Sequence, residues 1–65
     1  MDNTINVFHA GYIIGSEIHR LQLSIGSLKM WQERQPTRLR ELKIEIAERN
    51  LRDCETALEI LSPFL

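Results

Sequence analysis

The chain has 65 residues, 43% of them hydrophobic, a net charge of −1 and a single cysteine. That length allows one small domain, which buries only about 60% of its unfolded surface, so its own core is marginal. One cysteine excludes a disulfide framework and fits a reducing compartment, and the charge excludes bulk attraction to a polyanion.

The first predicted element is a helix over about 5–34. Its firmest part is 16–33, where Ile18, Leu21, Ile25 and Leu28 alternate spacings of three and four. Ser16 can cap that part, with Glu17 in its first turn. Val7, Gly11 and Ile14 extend the same stripe towards the N-terminus. Against continuity, Gly11 and Gly15 each cost about 1 kcal/mol relative to alanine in a helix. Residues 1–15 therefore read either as part of one long helix or as a separate short helix or arm. The start, Met1-Asp2-Asn3-Thr4, lacks the basic, then apolar, pattern of a signal peptide. No apolar run approaches the ~20 residues that span a bilayer. The expectation is a soluble, cytoplasmic protein.

Gln35-Pro36-Thr37 is the break, because proline disfavours helical geometry in the residue before it. Thr37 can cap the second helix, or Pro36 can occupy its first position. The second helix, about 37–61, carries the stripe Ile44, Ala47, Leu51, Cys54, Leu58 and Leu61 and ends before Pro63. Glu45–Arg49 and Glu48–Arg52 stand at i, i+4 with the acid first, the favourable order. Phe64 and Leu65 form an apolar tail that can fold back. The short connection predicts antiparallel neighbours, so the fold class is an all-α, antiparallel two-helix hairpin forming one domain over 1–65.

Each helix carries more apolar surface than one partner covers. On the second, Leu39, Leu42, Ile46, Ala57 and Ile60 flank the main stripe by roughly 100°. On the first, a further set contains Phe8, Tyr12, Gly15, His19, Leu23, Gly26 and Met30. Covering both in a symmetric pair predicts a dimeric four-helix bundle. The expected oligomer interface is Phe8, Tyr12, Gly15 and Leu23 with Leu39, Leu42 and Ile46.

The sharpest local signal is a basic run at the break. Lys29, Arg34, Arg38, Arg40 and Lys43 stand among only two acids, Glu33 and Glu41. Arg38 and Arg40 fall in the first turn of a helix, the end that already carries partial positive charge. With Trp31 beside them, Arg34, Arg38, Arg40 and Lys43 are the candidate site for an anion or an acidic partner. The competing reading is a solvated turn with Trp31 packed on the hairpin end. Gly11-Tyr-Ile-Ile-Gly15 has the small-xxx-small spacing of close helix contacts, or simply marks a kink.

Catalysis finds no support in the sequence. His9 and His19 are ten residues apart, ~280° around a helix, and read as partly buried packing residues. Cys54 lies in the core stripe and reads as a small hydrophobe. No serine-elbow, phosphate-loop or dinucleotide motif is present. No cofactor and no metal are expected.

In size, two-helix amphipathic layout and lack of catalytic motifs, the chain resembles the small accessory proteins of temperate lambdoid bacteriophages. The resemblance implies an early-expressed helical regulator that works by binding a host or phage protein, and it carries over no functional residue. The leading expectation is thus a non-catalytic binder that self-associates. The alternatives are a nucleic-acid-binding regulator using the basic turn, and a small subunit that folds fully only on its partner.

Overall fold

The computed structural model describes residues 3–65; Met1 and Asp2, the first half of the N-terminal stretch read above, lie outside the described residues. The chain folds as a helical hairpin. Helix α1 spans Asn3–Arg34, α2 spans Arg38–Leu61, and a 3-10 turn covers Ser62–Phe64. Helix α1 runs unbroken through Gly11, Gly15 and Ser16. Ser16 is therefore not an N-cap, and 1–15 is not a separate arm within the described residues. Glu17, expected in a first turn, instead sits mid-helix and pairs with Arg20 one turn on.

The break falls at Gln35-Pro36-Thr37. Thr37 takes an extended conformation (φ −136°, ψ 149°), and its hydroxyl accepts from the Arg40 N–H at 3.1 Å. This is the N-cap geometry that satisfies an orphan donor of the first turn. Of the two possible starts for α2, the Thr37 cap is the one adopted.

The two main stripes face each other. Leu21 and Ile25 are buried, at 4% and 8% exposure, and among the described residues they are the whole buried hydrophobic core. Ile14, Ile18 and Leu28 of α1 and Ile44, Ala47, Leu51, Cys54, Leu58 and Leu61 of α2 are half-buried around them. The apolar tail does fold back, but only through its last residue. A Cβ built on Gly11 would stand 3.2 Å from the Leu65 side chain, so Gly11 provides the seat for Leu65. Phe64 stays 67% exposed. Gly11 and Gly15 thus do not act together as a contact motif within the hairpin: a Cβ on Gly15 would meet nothing within 4 Å.

The result is a rod of 51 × 17 × 14 Å with a radius of gyration of 15.0 Å. A compact chain of this length has a radius near 11 Å.

Candidate functional site

The basic turn is built from hydrogen bonds between the two helix ends. Gln32, in the last turn of α1, brackets Thr37: its amide nitrogen donates to the Thr37 carbonyl and its amide oxygen accepts from the Thr37 N–H, each at 3.1 Å. The Arg40 guanidinium reaches back across the break, donating to the Gln35 carbonyl and, at 3.4 Å, to that of Trp31. These carbonyls end α1, where partial negative charge gathers and a cation is favourable. Arg40 stands at the wrong end of its own helix and at the right end of its neighbour.

The other candidate residues of the turn divide. Arg38 pairs with Glu41 one turn on, at 3.0 Å. The Arg34 guanidinium lies 5.9 Å from the centre of the Trp31 ring, at the outer limit of a cation–π contact. Trp31 itself is 51% exposed. Lys43 is exposed and makes no ion pair among the described residues. Lys29, counted in the basic run, bridges to Glu48 across the hairpin at 3.4 Å. That bridge replaces the expected Glu48–Arg52 pair, and Glu45–Arg49 is not formed either. Among the described residues, the turn therefore leaves Arg34 and Lys43 as its cations with neither a carboxylate nor a carbonyl partner.

The expected interface residues are all at the surface, but they do not form one surface. Phe8, Tyr12 and Leu23 of α1 are 52–74% exposed, and Leu39, Leu42 and Ile46 of α2 are 39–64% exposed. At 100° per residue, the α1 set lies roughly 130° from its core line and the α2 set roughly 110° from its own. Which side each set takes is settled by a groove between the helices. In it Gln22, Ile25 and Lys29 of α1 meet Glu48, Leu51 and Arg52 of α2. Gln22 and Lys29 lie on the flank of α1 towards its Phe8–Met30 set. Glu48 and Arg52 lie on the flank of α2 away from its Leu39–Ile60 set. The two apolar sets consequently occupy opposite faces of the hairpin.

The α2 face is joined by two residues of α1 that sequence periodicity did not single out, Ile13 and Trp31, one towards each end of the rod and 52% and 51% exposed. Its middle holds Arg49 and Asp53, both exposed. The α1 face is interrupted by Gly15 and Gly26, and a Cβ on either would meet nothing within 4 Å.

Both histidines are exposed, not partly buried. Glu17 and Arg20 are the titratable pair with a defined perturbation. The Arg20 guanidinium hydrogen-bonds the Glu17 carboxylate, which holds the Glu17 pKa below its ordinary value and raises that of Arg20. No helix among the described residues is long and apolar enough to cross a membrane. Comparison with protein-family models, with curated proteins and with solved structures finds no match to this chain.

Proposed function

We propose that this chain is a non-catalytic α-helical protein that acts by self-association and by binding another protein. Its setting would be regulatory or accessory, of phage or bacterial origin, in the cytoplasm. One observation carries the reading: among the described residues only two large hydrophobic side chains are buried, while twelve are 39–74% exposed. A single surface leucine is ordinary. Twelve such residues gathered largely on two faces of a 65-residue rod are the mark of surface meant to be covered. Their placement on opposite sides lets self-association use one face and leave the other for a different protein.

The nucleic-acid reading has less behind it. Arg40 is committed to the end of α1 and Arg38 to Glu41, so the turn offers few free cations for phosphate.

Sedimentation velocity from 1 to 100 μM is the test. The reading expects a concentration-dependent species larger than the monomer, and a compact monomer throughout would sink it. A parallel titration with duplex DNA at low salt expects no binding that salt reverses.

A further inference from the structure

We propose that a second copy of this chain docks on the α2 face, with the two α2 helices antiparallel and Arg49 of each opposite Asp53 of the other. This rests on the self-association reading above and gives it a surface, an orientation and a register.

The occupant follows first from area. The chain exposes 5224 Å². A folded monomer of 7.6 kDa exposes about 4,300 Å² by the usual scaling with mass. The excess, roughly 900 Å², is close to the ~800 Å² that each partner buries in an interface of standard size. One further copy on one face is the assembly this surplus fits.

The face follows from pattern. Along α2 the outward positions Leu39, Leu42, Ile46, Arg49, Asp53 and Ile60 begin with spacings of three, four, three and four, the seam of a paired helix. The α1 stripe lacks that make-up, because Gly15 and Gly26 leave gaps in it. The α2 seam is apolar at both ends and charged in the middle, with opposite signs one turn apart. Within the chain Arg49 and Asp53 make no ion pair with each other or with any other described residue.

The orientation follows from those two charges. A parallel pair in register sets Arg49 against Arg49 and Asp53 against Asp53, two like-charge contacts at the centre of the seam. An antiparallel pair whose two-fold axis passes at the level of Leu51 sets Arg49 opposite Asp53 twice. The same register sets Leu42 opposite Ile60 and brings Leu39 to the Pro63–Phe64 end of the other copy, where the exposed Phe64 can cover it. In this register Ile46 lies opposite Thr56, the seam position between Asp53 and Ile60, and each of the two central charges meets its opposite. Central polar positions of this kind fix register and partner orientation in helical pairs.

The test is sedimentation equilibrium of the full chain as wild type, Arg49→Ala, Arg49→Asp, Asp53→Arg and the double swap Arg49→Asp/Asp53→Arg. Both positions are exposed in the hairpin, so the swaps act on the pairing. The wild type should dimerise. Arg49→Asp and Asp53→Arg should each weaken the dimer by at least about tenfold. The double swap should return to within a few-fold of wild type, because each charge again meets its opposite. Arg49→Ala should weaken the pair. If it tightens it, the helices are parallel and the proposal is wrong. If the wild type dimerises but the single swaps leave affinity unchanged, or the double swap is no better than the singles, another face forms the dimer: the proposal fails and self-association stands. A monomeric wild type overturns both.

Discussion

The Arg40 guanidinium donates to the Gln35 carbonyl oxygen, so the first turn of α2 caps the last turn of α1. This contact places a cation at the negative end of one helix at the expense of crowding the positive end of another. Arg40→Ala should therefore destabilise the hairpin, by about 1 kcal/mol for a solvent-accessible charged hydrogen bond. The melting temperature should fall by several degrees for a chain of this size, measured at one fixed concentration so that any association contributes equally. A melting curve identical to wild type would show that the cap contributes nothing.

Gln32 and Thr37 hold each other by two hydrogen bonds, and Thr37 also caps α2. Thr37→Ala should cost about 1 kcal/mol from the lost cap alone. Gln32→Ala leaves that cap intact and removes the bracket. Because the Gln32 amide bonds the Thr37 main chain, which alanine keeps, the two losses should add, as a double-mutant cycle in urea would show.

The glycines should separate cleanly. Gly15→Ala and Gly26→Ala place a methyl group in open space within an exposed helix, so each should stabilise the isolated hairpin by roughly 0.5–1 kcal/mol. Gly11→Ala should gain less, since its Cβ presses on Leu65 at 3.2 Å. Gly11→Leu should expel Leu65 and lower stability. Urea midpoints for the four variants rank these effects.

Glu17 supplies a pH response of known sign. Its pKa is lower in the folded chain than in the unfolded one, because the Arg20 guanidinium hydrogen-bonds the charged form. The stabilisation is present above the ordinary carboxylate range and is lost as pH falls through the folded value. The carboxyl carbon of Glu17 should titrate below the ordinary carboxylate range, and Arg20→Ala should bring it back into that range.

The two-residue core makes Leu21 and Ile25 the most sensitive positions. Truncation of either to alanine should cost about 2–5 kcal/mol, enough to unfold a chain of this size. Circular dichroism at 25 °C should show the loss of helix.

Much of this architecture is legible in the sequence. Ile18, Leu21, Ile25 and Leu28 and their counterparts on α2 repeat at helical spacing, and Pro36 can only be a break. Thr37 carries the side chain that a cap requires. The continuity of α1 through Gly11, Gly15 and Ser16 was legible only in part: the stripe of Val7 and Ile14 points to it, while the local propensity of the glycines argues against it. The half-buried line of Val7, Ile14 and Ile18 and the Leu65 seat at Gly11 outweigh that propensity once the hairpin closes. The role of Arg40 was hidden for a different reason. Its unfavourable position was visible, but the carbonyls it serves belong to another helix, and only the turn geometry brings them within reach. The division of the interface residues into two sets needed one further fact, the Lys29–Glu48 side of the pair. Periodicity gives an angle around each helix, and only a contact between the helices says which way the angle runs.

That division has a consequence for valency. A hairpin whose apolar faces point in opposite directions is not closed by a single two-fold contact. When one face is covered by a copy of the chain, two Phe8–Met30 stripes remain, turned away from each other on the outside of the pair. Such a pair would present two identical grips. A target with two matching sites spaced to suit would be held with an avidity well above that of either contact alone.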